Sequence, residues 1–352
     1  MKRHSNLIEQ IASLNNLIIA FKKASKGKKN KQYVKFFYLN LETNLFQIQE
    51  DLLSGNYRWG VYHFFEISDN KKRQIHAPIF KDRVTQHAIY AVLEPLLDKK
   101  FIYHTYACRK GKGTLRGVQS LMKMNANENT YILKCDIKQY FKTIDRQIMF
   151  ELLQYNMKDK LVLKAFYNLI FYDEEKRGIP IGNLCSQLFA NLYLSQLDYF
   201  VKHVLKTKYY LRYMDDFLII HTSREQLYEW RHAIRDFLTN NLKLELHPNK
   251  QHITAAAKGI NWLGYKVTLS KLQVRNKNNK AFSKRWKAIS NKKGSSFQDF
   301  RVQINSLYAL SKHANTRKYI YKTYRSQFYE KCWVYNLTQL RKQNKAIIDF
   351  EC

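Results

Sequence analysis

The stretch "RYMDDFLII" at residues 212–220 places two adjacent carboxylates, Asp215 and Asp216, between two apolar runs typical of buried strands. Neighbouring carboxylates repel each other, but a solvated turn tolerates that repulsion, so the pair alone is most often an ordinary turn. A third carboxylate, Asp136, ends the apolar run "TYILKCD" earlier in the chain. If that strand lies beside the hairpin, the three carboxylates converge and a cation must offset their repulsion.

Carboxylate oxygens are hard ligands, and they favour Mg²⁺ or Mn²⁺. Two such ions in a basic groove suit in-line nucleotidyl transfer, because one lowers the pKa of a primer 3′-hydroxyl while the other holds the triphosphate. This chemistry requires no His, Cys or Ser nucleophile. The stretch "RKGKGT" lacks the P-loop spacing, which leaves an ATPase with little support.

The charge balance predicts a polyanionic partner, since 61 Lys and Arg face 28 Asp and Glu for a formal net charge of +33. Nucleic acid is the first candidate and an anionic membrane surface is the alternative. Basic residues occur along the whole chain, and no apolar run approaches the roughly 18–20 residues of a membrane span. The opening "MKRHSNLIEQ" lacks a signal-peptide pattern, so a cytoplasmic location is predicted. Five widely spaced cysteines without a C-x-x-C pair indicate reduced thiols.

Hydrophobic periodicity predicts helices in residues 5–24 and 41–54, joined by a basic loop at 22–31. A hairpin is predicted within residues 57–79, followed by a helix at "DRVTQHAIYAVLEPLL". The strand "TYILKCDIKQYF" alternates, so that one face carries Leu133, Cys135 and Ile137 and the more open face carries Ile132, Lys134 and Asp136.

The second half of the chain continues this alternation of helices and strands. An amphipathic helix over residues 186–205 should pack beneath a sheet, and a hairpin with its turn at residues 214–216 follows it. A helix near residues 224–241 and one strand at "INWLGYKVT" come next. This order predicts an α+β fold with an antiparallel sheet backed by helices. A basic helical tail is predicted from about residue 275, with a core of Trp286, Phe297, Phe300, Tyr308, Tyr321, Tyr324 and Phe328.

Six motifs resemble those of reverse transcriptases, in the order of that family. "RYMDD" resembles the Y-x-D-D motif, and "KCDIKQYFKTID" resembles the motif that supplies the first metal-binding aspartate. The other four are "RQIHAPIFKDRVTQHAI", "YACRKGKGT", "LKLELHPNK" and the primer grip "NWLGY". The resemblance implies a right-hand polymerase with an N-terminal helical extension (1–56), fingers (57–130), a palm (131–272, with a finger-like insertion at about 147–178) and a helical thumb (273–352).

The segment "GIPIGNLCSQLFANLYL" discriminates between subfamilies. Retroviral and intron-encoded enzymes typically carry Pro-Gln-Gly here, whereas this chain has Ile181 in place of the Gln, followed by Ser186 and Gln187. That form is similar to the reverse transcriptases of diversity-generating retroelements, as is the opening "KRHSNLIEQI", and no maturase or endonuclease extension is expected after the tail. The resemblance implies error-prone copying of a retroelement template RNA into adenine-mutagenised cDNA from dNTPs. It also implies an accessory variability protein, a small basic helical oligomer, and no membrane partner.

Three alternatives stay open within the same chemistry: a retron, an abortive-infection or a group II intron-type reverse transcriptase. A non-catalytic RNA-binding scaffold with a decayed site is the alternative from another class. The presence of all three carboxylates disfavours that scaffold.

The resemblance also implies residue roles. Two Mg²⁺ or Mn²⁺ ions would be held by Asp136, Asp215, Asp216 and the backbone carbonyl of Ile137. Nucleotide-binding candidates are Arg73, Lys81, Arg83, Phe141, Ile181, Gly182 and Gln187, and Lys250 is a candidate general acid toward pyrophosphate. Template or primer contacts are expected from Arg109, Lys110, Lys112, Trp262, Gly264 and Tyr265.

Each of these roles competes with a structural alternative. Phe141 is either a steric gate against the ribose 2′-hydroxyl or a core aromatic residue. Ile181 is either a packing residue or a pocket wall that lacks a hydrogen-bonding side chain, which would weaken discrimination at the nascent base pair. Gly182 would let the backbone approach the nucleotide. The basic residues could be solvated charges, and Trp262 could simply be buried next to a β-turn.

Overall fold

The structure is a computed structural model that describes residues 6–68, 72–125, 129–291 and 312–315 of the 352-residue chain. Two compact units are formed. One holds the residues up to Gly117 together with Leu133–Ile253, and the other holds Val118–Ile132 together with the residues from Thr254 onward.

The helices of the described residues are α1 (Leu7–Ala12), α2 (Leu14–Ala24), α3 (Gln32–Leu39), α4 (Leu41–Leu53), α5 (Phe80–Asp98), α6 (Thr114–Met124), α7 (Tyr140–Thr143), α8 (Arg146–Asn156), α9 (Lys160–Ile170), α10 (Leu184–Tyr199), α11 (Arg224–Leu242) and α12 (Asn276–Asn291). The strands are β1 (His63–Ser68), β2 (Lys72–Ala77), β3 (Tyr131–Asp136), β4 (Tyr209–Tyr213), β5 (Asp216–His221), β6 (His252–Ala255), β7 (Ile260–Trp262), β8 (Tyr265–Val267) and β9 (Leu272–Val274). They form three sheets with the orders β1-β2, β4-β5-β3-β6 and β7-β8-β9.

The N-terminal region contains four helices where the sequence predicted two. Ser13 interrupts the first predicted helix because its backbone is extended, and its hydroxyl accepts the N–H of Asn16 to start α2. The structure also adds α3 after the basic loop. Its buried residues are Val34 and Phe37, while its other large apolar side chains are exposed, so hydrophobic periodicity did not reveal this helix.

One buried carboxylate starts two helices that are far apart in sequence. Asp159 Oδ2 accepts the N–H groups of Leu7 and Ile8 at 2.7 and 2.9 Å, at the beginning of α1. Asp159 Oδ1 accepts the N–H groups of Leu161 and Val162, at the beginning of α9. The Asp159 carboxylate therefore accepts hydrogen bonds from the free N–H groups at the N-termini of both α1 and α9.

The predicted β1–β2 hairpin and the helix after it are confirmed. The two strands are antiparallel, with Phe64 opposite His76. In the first turn of α5, Asp82 is buried and accepts the Tyr57 hydroxyl and the Gly60 N–H, both at 2.8 Å. Burial is the main reason why the pKa of Asp82 is raised. These contacts fix the start of α5 beside the hairpin.

The predicted buried face of β3 is confirmed, since Leu133, Cys135 and Ile137 are buried. On the opposite face Lys134 and Asp136 are partly accessible as predicted, but Ile132 is buried, so that face is open only toward the end of the strand. Strands β4 and β5 pair antiparallel. The predicted helix under this sheet is α10, extended by a π-helical turn at Phe200–Val204.

The second unit corrects one prediction, because "INWLGYKVT" forms two strands, β7 and β8, rather than one. Their turn consists of Leu263 and Gly264, with φ of 47° and 89°. Positive φ at both central residues is the pattern of a type I′ hairpin turn. Strand β9 pairs with β8, and Trp286 is buried on α12. The other predicted core aromatics of the tail lie outside the described residues: Phe297, Phe300, Tyr308, Tyr321, Tyr324 and Phe328.

Mixed helices and antiparallel strand pairs confirm the predicted α+β class. The division into extension, fingers, palm and thumb stays a prediction. Cys108, Cys135 and Cys185 are free thiols, and Cys332 and Cys352 lie outside the described residues. Within the described part of the chain, no helix has both the length and the apolar character to cross a membrane.

Candidate active site

The ends of β3 and β4 bring the predicted carboxylates together. Asp136 is the last residue of β3, and the next residue, Ile137, donates its N–H to the Asp215 carbonyl at 3.1 Å. The turn between β4 and β5 consists of Met214 and Asp215, whereas Asp216 already belongs to β5 and lies opposite Tyr213. The predicted three-residue turn is therefore one residue too long. Met214 has a φ of 55°, as the first central residue of a primed turn requires.

The three carboxylates act on one another electrostatically. Burial, and then the charge of Asp136, raises the pKa of Asp215, against the opposing charges of Lys250 and Arg73. Burial raises the pKa of Asp216 to about 6, although Lys134 opposes the change, and the charges of Asp136 and Asp215 add to it. The repulsion expected from the sequence is therefore present at this site.

Two lysines partly compensate this negative charge. Lys250 Nζ lies 2.6 Å from Asp136 Oδ1, and Lys134 Nζ lies 3.2 Å from Asp216 Oδ2. Sequence interpretation placed Lys134 on the same face of β3 as Asp136 but assigned it no role. Lys134 precedes Asp136 by two residues and so lies on the same face of the strand, and this spacing could have identified it as a residue near the site.

The donor set suits a hard divalent cation. Asp216 Oδ1 is buried without a hydrogen-bond partner in the described structure, so one carboxylate oxygen is still available as a ligand. The described side chains do not, as placed, form a group of three or more His, Cys, Asp or Glu residues that could hold a metal ion. The predicted ligands therefore fit a divalent cation in chemical type and lie close together. Two of them, Asp136 and Asp216, are paired with Lys250 and Lys134.

A buried network that the sequence did not reveal supports the turn. Arg212, on β4, pairs with Asp198 of α10, and its Nη1 donates to the Met214 carbonyl at 3.2 Å and to Asn191 Oδ1. The Tyr210 hydroxyl donates to the same Asp198 at 2.8 Å. Burial acts to lower the pKa of Arg212, but Asp198 raises it overall, so the guanidinium stays charged. Helix α10 thereby anchors the residue before Asp215.

Four of the predicted nucleotide-binding residues lie in or near the turn before α10 or in the segment hydrogen-bonded to it. Phe141 lies on the short helix α7, is partly buried, and its carbonyl accepts the N–H of Ile179 at 2.9 Å. Ile181 and Gly182 form the turn that precedes α10, and Ile181 is partly accessible. Gln187 is exposed on α10. The backbone hydrogen bond from Ile179 to Phe141 links this segment to the residues just after Asp136.

A family model described as "Reverse transcriptase (RNA-dependent DNA polymerase)" matches residues 67–267, more than half of the chain. The chain belongs to the reverse transcriptase family. This span contains Asp136 and the Asp215–Asp216 hairpin. Membership of the family supports RNA-directed DNA polymerase activity for this reverse transcriptase.

Two curated relatives show how far the likeness extends. Protein YkfC of Escherichia coli (strain K12) is 22% identical over an alignment of 268 residues, covering 62% of this chain and 70% of YkfC. The group II intron-encoded protein LtrA of Lactococcus lactis subsp. cremoris is 22% identical over 271 residues, covering 57% of this chain and 45% of LtrA. The reverse transcriptase thus spans less than half of LtrA.

A solved telomerase from Candida tropicalis, in complex with a TWJ fragment of telomeric RNA, has a similar fold. The TM-score is 0.50 at 11% identity, and the match covers 81% of this chain and 58% of the telomerase. At 11% sequence identity, this match is evidence for a shared fold only. The match supports the predicted polymerase fold class for the reverse transcriptase.

The predicted triphosphate contacts of the reverse transcriptase fall into different environments. Arg73 is exposed on β2, and its charge lowers the pKa of Asp215, so it lies within electrostatic range of the carboxylates. Lys81, by contrast, pairs with Asp51 of α4 at 2.8 Å. Arg83 lies near Lys28, and its Nη1 is buried without a hydrogen-bond partner in the described structure. The structure thus brings Arg73, but not Lys81, toward the carboxylates.

The predicted template contacts include one cation with a clear structural role. The Arg109 guanidinium pairs with Asp98 and donates to the Ile102 carbonyl at 2.7 Å, so it holds the loop after α5. Lys112 Nζ donates to the Tyr103 carbonyl at 2.9 Å, and Lys110 is exposed. Of these three residues, Lys110 has the environment that best suits a nucleic-acid phosphate.

The predicted primer-grip residues of the reverse transcriptase lie in the second unit. The side chains of Trp262 and Tyr265 are buried opposite each other in the β7–β8 hairpin. The carbonyl of Gly264 accepts the Arg275 N–H and the Asn278 side-chain amide, both at 3.1 Å. The structural alternative, a tight turn with a buried Trp, is therefore present. A role in primer contact stays a prediction.

Proposed function

We propose that this protein is an RNA-directed DNA polymerase that copies a retroelement template RNA into cDNA with frequent errors at template adenines. One observation carries the polymerase part of the proposal. The Ile137 N–H donates to the Asp215 carbonyl, so Asp136 lies beside Asp215 and Asp216. The chain that holds these three carboxylates is a member of the reverse transcriptase family.

The residues have distinct proposed tasks in this reaction. Asp136, Asp215, Asp216 and the Ile137 carbonyl would hold two Mg²⁺ ions, with Mn²⁺ as a substitute. When bound, such ions lower the pKa of the primer 3′-hydroxyl and neutralise the triphosphate. Arg73 would attract the negatively charged dNTP, and its charge acts on Asp215. Lys250, which contacts Asp136, is the candidate proton donor to pyrophosphate.

The error-prone part of the proposal depends on the turn at Ile181. An isoleucine side chain cannot form the hydrogen bonds of a glutamine, so it constrains the nascent base pair by shape alone. Together with Ser186 and Gln187, this residue supports a diversity-generating retroelement enzyme. Template RNA, cDNA and a small basic accessory variability protein are its proposed partners, in the cytoplasm.

Primer extension on an RNA template with Mg²⁺ or Mn²⁺ tests the polymerase. Wild type should extend the primer, and Asp215→Asn should reduce extension by at least about 100-fold, because it removes a charge that neutral amides cannot replace at a metal site. Asp236→Asn is the matched control, since Asp236 is exposed on α11. Equal extension by wild type and Asp215→Asn would contradict the proposed active site.

A group II intron-type reverse transcriptase is the second candidate, and the alignment with LtrA favours it. The error spectrum separates the two. We expect Ile181→Gln to lower misincorporation opposite adenine more than opposite the other bases, while Ile181→Leu keeps the wild-type spectrum because it stays apolar. An accurate wild type, or an unchanged spectrum in Ile181→Gln, would favour the intron-type enzyme.

A further inference from the structure

The turn that carries Ile181 is bonded to strand β2. The His76 N–H donates to the Ile181 carbonyl at 2.7 Å, from within β2. The position of the Ile181 backbone therefore depends on the position of this strand.

Gly182 makes this contact possible. Its φ is 121°, and a Cβ at this residue would lie 2.7 Å from the His76 carbonyl oxygen and 3.0 Å from Ile75 Cγ2. The first of these distances is shorter than a side chain tolerates against backbone. The close approach of β2 is thus a sufficient reason for glycine here. The nucleotide approach expected from the sequence is not needed to explain it.

The two residues after Gly182 are hydrogen-bonded to side chains just before β1 and on α5. Asn183 is buried, and its Nδ2 donates to the Tyr62 hydroxyl at 2.7 Å. The Leu184 N–H donates to Gln86 Oε1 at 2.9 Å, and Gln86 is also buried. Tyr62 lies just before β1, and its ring is 5.9 Å from the His76 ring. We call Tyr62, His76 and Gln86 the turn clamp.

We propose that the turn clamp sets the position of Ile181 and thereby determines how strictly the enzyme selects the incoming nucleotide. Tyr62, His76 and Gln86 are positioning residues in this proposal, since they act through Ile181 rather than on the substrate. The inference rests on the proposed function, in which Ile181 forms a wall of the nucleotide pocket.

The physical basis is the size of the effect that one side chain can have on selectivity. An apolar wall selects by shape alone, and even one extra or missing methylene group against such a wall changes the relative kcat/KM by only about 10- to 200-fold. A wall displaced by a fraction of an ångström changes such a difference readily, because packed contacts weaken steeply with distance. Strand β2, which is hydrogen-bonded to Ile181 through His76, also carries Arg73. A shift of β2 would therefore move the pocket wall together with a predicted triphosphate contact.

Two variants test the turn clamp in single-nucleotide incorporation opposite a template adenine. Tyr62→Phe removes the hydroxyl that accepts from Asn183, and Gly182→Ala pushes β2 away from the turn. We expect each to change the ratio of incorrect to correct kcat/KM by about three- to tenfold, the effect of one hydrogen bond. Gly182→Ala should also speed hydrogen exchange at the His76 amide, a measurement that does not depend on activity.

Tyr172→Phe is the matched control, because the Tyr172 ring also packs near Tyr62 and His76 but belongs to a different loop. Its ratio should stay within about twofold of wild type, because the ring is kept and the hydroxyl that is removed is bonded to Asp173 and Arg146 rather than to the turn. If wild type extends primers and Ile181→Gln changes the ratio, but Tyr62→Phe and Gly182→Ala do not, the turn clamp is refuted while the proposed function stands. Absence of extension by wild type would instead refute the proposed function.

Discussion

Arg212 donates from Nε and Nη2 to the two carboxylate oxygens of Asp198, at 2.7 and 2.6 Å, and both side chains are almost fully excluded from solvent. This pair joins the strand before the Met214–Asp215 turn to helix α10. The same guanidinium also contacts the Met214 carbonyl, so the buried pair and the position of Asp215 are linked.

Removing the Arg212 guanidinium should therefore unfold the site as well as destabilise the protein. We expect Arg212→Met to lower the free energy of unfolding by about 3–5 kcal/mol, because Asp198 would be left as a buried unpaired charge. Urea denaturation measures this change. Arg224→Met, at the exposed start of α11, should change stability by less than about 0.5 kcal/mol. Similar midpoints for the two variants would contradict the structural role of Arg212.

The raised pKa of Asp216 predicts a pH-dependent stability in EDTA. Below about pH 4 the carboxyl is protonated in both states and contributes nothing. As the pH rises toward 6 the unfolded chain releases its proton first, so the folded state loses stability. Raising the pKa from 3.8 to about 6 corresponds to about 3 kcal/mol at neutral pH, as an upper value.

Asp216→Asn should remove this loss. Relative to wild type, the variant should gain stability between about pH 4 and pH 6, and the gain should then stay constant up to pH 7. Urea titrations at several pH values measure the difference, with the exposed Asp236→Asn as control. A difference between Asp216→Asn and wild type that does not vary with pH would show that Asp216 ionises normally.

Arg73 and Lys81 provide a matched test of which cation contacts the dNTP. We expect Arg73→Met to raise the KM for dNTP by about tenfold or more, the loss expected for one charge-assisted hydrogen bond. Lys81→Met should leave this KM within about twofold and lower stability by less than about 1 kcal/mol, because its partner is Asp51 at a partly exposed site. Steady-state kinetics decide, and the reverse pattern would restore Lys81 as the triphosphate contact.

Phe141 should determine the sugar specificity if it is the steric gate. Phe141→Ala should increase incorporation of ribonucleotides relative to deoxyribonucleotides by about 10-fold or more, since a removed ring leaves room for a 2′-hydroxyl. Competition between rNTPs and dNTPs in primer extension measures the ratio. Phe46→Ala, an exposed aromatic residue on α4, is the control. Unchanged exclusion of rNTPs in Phe141→Ala would leave Phe141 as a core aromatic residue.

Local patterns were sufficient to predict where the three aspartates lie. The alternation in β3 and the hairpin around Asp215 depend on residues close in sequence. Both agree with the structure except that Ile132 is buried and the turn is one residue shorter than predicted. The positive φ of Met214 could not be predicted, because nothing about a methionine indicates a left-handed backbone. That conformation depends on the pairing between β4 and β5 and on the hydrogen bond from Arg212 to the Met214 carbonyl.

Contacts between distant segments could not be predicted from one sequence. Lys81 looked available for a triphosphate, but Asp51, thirty residues earlier, neutralises it. Lys134 and Lys250 pair with Asp216 and Asp136 for the same reason, since the sheet brings them together. Composition predicts a basic protein, whereas the fold decides which cations remain free to bind a ligand.

The carboxylate of Asp159 has a consequence for the order of events during synthesis. Helix α1 has six residues, too few to be stable alone, and the group that caps its start lies 152 residues beyond Leu7. At roughly 5–20 residues per second, translation delays that contact by about 8–30 seconds. The first helix of the chain is therefore expected to be among the last to become fixed, after α9 has left the ribosome.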